Sequence, residues 1–208
     1  MTKEAPLLQF EEKPHTYYIM LNRVRVVLPS VTQVMGEILG QPYRATEWHM
    51  QRGRAVHACA ALIAQGKAFN NDPQIDGQVA ACRKFLAENT LEILEVEKMY
   101  YSARSLFAGT IDLACIAILP YIIAPTKVIM DYKASLTKQT EIQLGAYSLL
   151  TGINKGMGVQ LNEDGTYKTS KIYDLRRPAQ EFIGLLSAYN TKARLGMLSK
   201  TEGESDGS

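Results

Sequence analysis

Two short runs rich in β-branched and aromatic residues, HTYYIML and VRVVL, flank Asn22-Arg23 between His15 and Leu28 and predict a β-hairpin. Pro29-Ser30 ends the second run. Ser30 or Thr32 can then cap a helix carrying Val34, Met35, Ile38 and Leu39 as far as Gly40 and Pro42. A second helix is predicted from about Thr46 to Ala64, with Gly66 just beyond it, and a third from Gln78 to Asn89, with Val79, Cys82, Phe85 and Leu86 on one face. The period then changes from helical to extended. Leu91 to Tyr101, Phe107 to Ile118 and Lys127 to Lys133 read as strands, with Pro120 to Thr126 linking the last two. A helix follows over Thr140 to Leu150, closed by Gly152. Next comes a hairpin of Gly158 to Asn162 with Tyr167 to Tyr173 around Asp164-Gly165, and a last amphipathic helix from Pro178 to about Leu195. The order predicts an α/β fold in which a central mixed β-sheet is flanked by α-helices, within one domain spanning residues 1–200.

Composition agrees with that plan and narrows the class. The chain has 208 residues, of which 46% are hydrophobic and 21% charged, the mixture of a globular protein and not of a disordered, collagenous or fibrous one. Net charge is +2, but three acids and no base fall in 201–208, so the body is more basic than the total suggests. That segment is predicted to be a disordered acidic tail. Cys59, Cys82 and Cys115 form no CxxC pair, so an iron–sulfur or zinc site is not expected and buried thiols are. The start lacks the apolar core of a secretory leader, and the uncharged stretch Leu113 to Thr126 is short and broken by Pro120 and Pro125, so no membrane contact is expected and a cytoplasmic location is. No GxGxxG or GxxxxGK[ST] loop is present, so no nucleotide cofactor is expected.

Chemistry concentrates in GTID, Gly109 to Asp112, and MDYK, Met130 to Lys133. Asp112 and Asp131 sit inside otherwise apolar strands, where burying a carboxylate costs several kcal/mol unless a cation or strong hydrogen bonds compensate. Residues two apart on a strand share a face, so Asp131 and Lys133 project together while Tyr132 points away. If the two strands are neighbours, the acids can converge on one hard divalent ion such as Mg²⁺. Lys133 would then orient a water or stabilise charge developing on a phosphate. The bland alternative is a buried Asp–Lys ion pair.

Two helical spacings add to this. Gly53 and His57 in RGRAVH are four apart on the second helix, where the glycine permits close approach and the imidazole can reach a metal; a simply packed histidine is the alternative. Gln143 and Tyr147 in EIQLGAY are likewise four apart, on the helix that follows MDYK. Each spacing alone is weak.

The succession Gly53-xxx-His57, GTID, Asp131-x-Lys133 and Gln143-xxx-Tyr147 resembles the motifs of the RecB-like branch of the PD-(D/E)XK nuclease superfamily, in the manner of its phage exonucleases. The stretches HTYYIMLNRVRVVLPSVTQVM and LEVEKMYYSARSLFAGTID resemble the flanks of phage members. The resemblance implies a restriction-endonuclease-like core and a metal-dependent deoxyribonuclease, an exonuclease by preference, acting in recombination or repair. Under it, Asp112, Asp131, His57 and the Tyr132 backbone carbonyl are metal ligands for one or two Mg²⁺ or Mn²⁺ ions. Lys133 serves the attacking water or the transition state, and Gln143 and Tyr147 brace the site. Glu97, with Glu95 on the same strand, is a further carboxylate for the metal, and solvated strand charges are the alternative. Arg52, Arg54, Lys138, Arg176 and Arg177 are candidates for phosphate-backbone contact. The partner implied is DNA, with a single-strand-annealing or other recombination protein and a homo-oligomer as further expectations. A non-catalytic DNA-binding module that keeps the fold is the rival reading. The sequence departs from many members in carrying Asp131 where they have Glu, and it lacks the four cysteines of the iron–sulfur members.

Overall fold

The computed structural model describes residues 6–12, 15–40, 46–118 and 124–199. The acidic segment 201–208, the stop at Pro42 and most of the link predicted at Pro120 to Thr126 lie outside the described residues.

The first three strands form a small antiparallel sheet: β1 (Leu8–Glu11), β2 (Thr16–Leu21) and β3 (Val24–Leu28). The β2–β3 turn is the predicted Asn22-Arg23, and both residues take left-handed backbone, with φ of 49° and 68°, which suits a two-residue hairpin turn to the twist of its strands. The pattern did not predict β1, four half-buried residues with no alternation to reveal them. Tyr17, Ile19 and Leu28 pack over Ala108, and the Tyr17 hydroxyl meets Thr110 Oγ1 at 2.7 Å, which pins this sheet to the larger one. Ser30 rather than Thr32 caps α1 (Val31–Leu39), in a reciprocal pair with Gln33.

Two helices follow, α2 (Glu47–Ala64), capped by Thr46, and α3 (Asp76–Asn89). The main sheet comprises β4 (Thr90–Ser102), β5 (Phe107–Ala117), β6 (Thr126–Lys133), then, beyond helix α4 (Lys138–Thr151), β7 (Lys155–Leu161), β8 (Tyr167–Thr169) and β9 (Tyr173–Asp174). Helix α5 (Arg176–Arg194) is the last element among the described residues. Strand order is β4-β5-β6-β7-β8, with β9 also pairing with β7. All neighbours are antiparallel except β6 and β7, which are parallel and joined through α4. The sheet is therefore mixed, as predicted. The hairpin expected after α4 is modified: β7 starts at Lys155, three residues before Gly158, and its returning arm is split into β8 and β9.

Helices cover both faces. Leu113, Cys115, Met130, Tyr132 and Val159 meet Ala60 of α2 and Cys82 and Phe85 of α3 in one core, which holds two of the three buried free thiols. Ile111, Ala114 and Ile129 meet Val34 of α1, Leu144 of α4 and Phe182 of α5 in the other. Close approach of α4 to α5 depends on Gly145, where a Cβ would lie 2.4 Å from the Pro178 carbonyl carbon. No helix among the described residues is long and apolar enough to cross a membrane.

Candidate active site

The β5–β6 ladder runs from Ala117–Thr126 to Leu113–Met130 and stops there, one position short of facing Asp112 with Asp131. β5 continues on β4, while β6 continues on β7 through Asp131–Gly158 and Lys133–Gln160. The two central strands thus part company at the two acids. Asp112 Oδ2 fills the missing acceptor role by taking the Tyr132 backbone N–H at 2.7 Å. Both carboxylates are consequently held in the interior, with Asp112 8% and Asp131 1% exposed.

A third carboxylate arrives from β4. Pairing of Val96 with Leu113 and Lys98 with Ile111 sets Glu97 opposite Asp112, and Glu97 has φ of 46°, a backbone rarely adopted by residues with a side chain. From the other side, α2 brings His57 Nδ1 to 3.3 Å from Asp112 Oδ1. Ligand atoms of His57, Glu97 and Asp112 lie within 4.8 Å of one another. Glu95 does not join them: it pairs with Lys98 at 2.5 Å and with the Tyr100 hydroxyl.

Asp131 is held separately. Lys133 Nζ lies 2.6 Å from its Oδ2, and Gln143 Nε2 is 3.5 Å from its Oδ1 while donating to the Tyr147 hydroxyl at 3.0 Å. Gln143 and Tyr147 are both buried, one helical turn apart on α4. Gly109 of β5 makes room for the tyrosine, since a Cβ there would sit 3.1 Å from Tyr147 Cε1. Tyr132 contributes its amide, and its ring points the other way into the α2/α3 core, edge-on to His57.

The electrostatics follow from this crowding. The Asp112 charge, against burial, raises the His57 pKa to about 9, so the free site holds an imidazolium–carboxylate pair. Burial pushes Asp112 up, but His57, Lys133 and the Tyr132 amide outweigh it and hold the carboxyl below its ordinary value. Glu97 keeps an exposed edge, but desolvation by the groups it faces, then the Asp112 charge, raises it to about 7. Burial raises Asp131 to about 6, with Lys133 opposing and Asp112 adding to the rise. Burial lifts the Tyr147 phenol well above its usual range, so it stays neutral. Such crowding of acids is what a divalent cation relieves.

Cavities flank the Lys133–Ser135 segment on both sides. One of about 480 Å³ opens against α2 beside His57, and one of about 180 Å³ lies between α1 and α4 beside Gln143. Gly53 lines the larger one, and a Cβ built on it meets nothing within 4 Å, so this glycine leaves open space instead of contacting another backbone. Arg52 lines the same cavity and pairs with Glu163 at 2.6 Å. Arg54 is exposed on α2, and Lys138 is exposed at the start of α4. Arg176 and Arg177 are not brought to the site. They follow β9, which pairs with the beginning of β7, and they make local ion pairs with Asp174 and Glu181. Reading the sequence missed Gln78 of α3, a buried polar wall of the larger cavity, and no spacing distinguishes it from an ordinary helix residue.

No family model matches the chain, and no curated protein matches it. Among solved structures, LHK-Exo in complex with dAMP is 10% identical, with 82% of this chain and 89% of that one covered and a TM-score of 0.46. Alkaline exonuclease LHK-Exo from Laribacter hongkongensis is 12% identical, covering 81% of this chain and 88% of that one, with a TM-score of 0.44. At this level of likeness the function has to be read from the site itself.

Proposed function

We propose that this chain is a divalent-metal-dependent deoxyribonuclease of the exonuclease kind, serving DNA recombination or repair in a phage or prophage setting. The supporting observation is the junction of β4, β5 and β6, where His57, Glu97 and Asp112 offer donors within 4.8 Å of one another and Asp131 holds Lys133 alongside. Two carboxylates and an imidazole suit a divalent ion, and Glu97 adds a third acid to a site whose two cations, His57 and Lys133, already pair with Asp112 and Asp131. His57, Glu97 and Asp112 would hold it, with Asp131 and the Tyr132 carbonyl as the adjoining oxygens. When bound, Mg²⁺ or Mn²⁺ lowers the pKa of water and offsets phosphate charge.

The remaining work falls to the chain's own groups. Asp131 aims the Lys133 ammonium, which offers donors to the attacking water or to a phosphate oxygen where charge builds. Gln143, fixed by the Tyr147 hydroxyl, keeps the other Asp131 oxygen in place. Arg52, which lines the cavity beside His57, and the exposed Arg54 of α2 and Lys138 of α4 are the cations that would be offered to a phosphate backbone, which needs charge and no particular sequence.

The test is purified protein on linear, circular and single-stranded DNA with Mg²⁺ or Mn²⁺. Linear DNA should be degraded from its ends and closed circles spared, and Asp131→Ala and Lys133→Ala should each lose about a hundredfold or more in rate. Wild-type protein that cuts nothing, or variants that cut as well as wild type, would sink the assignment.

A further inference from the structure

A groove of about 720 Å³ opens at the start of β5, between the β4–β5 turn, the end of β3 and α5. Ile183, Ser187, Asn190 and Arg194 follow one another at three- or four-residue steps, so a single stripe of α5 forms one wall. Arg104, Ser105 and Leu106 of the β4–β5 turn line the other side. No carboxylate lines the groove, and among the described residues neither Arg104 nor Arg194 has an ion-pair partner. Arg25, Arg52, Arg176 and Arg177, by contrast, each pair with an acid. Two uncompensated guanidinium groups beside the Ser105 and Ser187 hydroxyls and the Asn190 amide are the donor set that contacts phosphate and sugar in nucleic acids.

We propose that this groove holds the phosphate backbone of DNA that extends beyond the active site, which rests on the nuclease reading above. Six residues along the β5 direction separate Leu106 from Asp112, about 20 Å of extended chain and so about six base pairs of duplex. The chain itself links the two places: Pro29 lines the groove, and Thr32, three residues on, lines the cavity beside Gln143. A substrate longer than that span must rest on the surface, and here it meets cations without acids. The contact carries charge and no sequence, so it adds affinity for long DNA without entering the chemistry.

The double variant Arg104→Ala with Arg194→Ala tests this, since both side chains are exposed. On a duplex several helical turns long, fluorescence anisotropy in Ca²⁺ should show affinity falling about tenfold, and the slope of log affinity against log salt becoming shallower by about 2. Cleavage of a trinucleotide in Mg²⁺, too short to reach the groove, should keep the wild-type rate. Unchanged affinity and slope on the long duplex, or an equal loss on the trinucleotide, would overturn the proposal. So would a polyglutamate peptide that binds wild type and not the double variant while DNA affinity stays the same, which assigns the groove to an acidic protein. Wild-type cleavage with no effect of the variant on DNA binding removes the groove and leaves the nuclease; the expected losses in binding with no cleavage of any DNA by wild type do the reverse.

Discussion

Asp112 accepts the Tyr132 backbone amide at 2.7 Å, at the point where the β5–β6 ladder would otherwise have its next rung. A side chain thus takes over a backbone task, and the strands open just enough to hold two acids. Asp112→Asn keeps an oxygen for that amide and removes the charge. It should fold like wild type and bind Mn²⁺ at least tenfold more weakly by calorimetric titration. Asp112→Ala removes the acceptor as well, and should lose a further 1–3 kcal/mol or so of stability in urea. Equal Mn²⁺ affinity in wild type and Asp112→Asn would show that the carboxylate holds no metal.

Tyr147 acts at one remove. Its hydroxyl accepts from Gln143, which in turn reaches Asp131. Tyr147→Phe should therefore cut kcat about tenfold with little change in KM, and Gln143→Leu should cut it at least as far. A double variant no worse than the worse single one would confirm that the two work as a unit, whereas multiplied losses would separate them.

Metal-free protein should become less stable as pH rises. His57 is raised from 6.5 to about 9, Glu97 from 4.5 to about 7 and Asp131 from 3.8 to about 6. Each binds its proton more tightly folded than unfolded, so stability declines across these intervals on going up in pH. The His57 contribution is complete below 6.5 and gone above about 9. Tm measured in EDTA should fall across this range, by about 2–4 °C per kcal/mol lost, and His57→Gln should flatten its upper part. Added Mn²⁺ should raise Tm more at higher pH, because ligands bind metal without their protons. A Tm that climbs with pH in EDTA contradicts this picture.

The α4–α5 contact offers a check on the fold. A methyl at position 145 would fall 2.4 Å from the Pro178 backbone, which cannot rotate away as a side chain can. Gly145→Ala should destabilise by about 1–3 kcal/mol, despite the better helix propensity of alanine. Thermal melts beside the exposed-site control Gly184→Ala, where nothing lies within 4 Å, measure the difference.

Most of the elements were legible along the chain because they are local. Spacing of apolar residues, Ser30 or Thr32 as the cap of α1, Thr46 as the start of α2, Asn22-Arg23 as a turn and Gly152 as a helix end depend on neighbours one to four residues away. Asp112, Asp131 and Lys133 were conspicuous for a related reason: charge inside an apolar strand is costly wherever that strand ends up. β1, short and without alternation, gave no such signal, and neither did the division of the predicted arm Tyr167 to Tyr173 into β8 and β9.

Tertiary structure decided which of these residues meet. Glu97 reaches Asp112 only through the β4–β5 register and its own left-handed backbone, while Glu95, two positions earlier, turns to Lys98. His57 arrives from a helix on the opposite side of the sheet, and Arg176 and Arg177 are carried off with the start of β7. Gln78 becomes a wall of a cavity solely because α3 packs where it does. By itself, the sequence determined the periods, the caps and the costly charges, since each is a matter of a few adjacent residues. Register, helix docking and the parting of β5 from β6 were set by packing between elements distant in sequence, where no short window of residues carries the energy that decides.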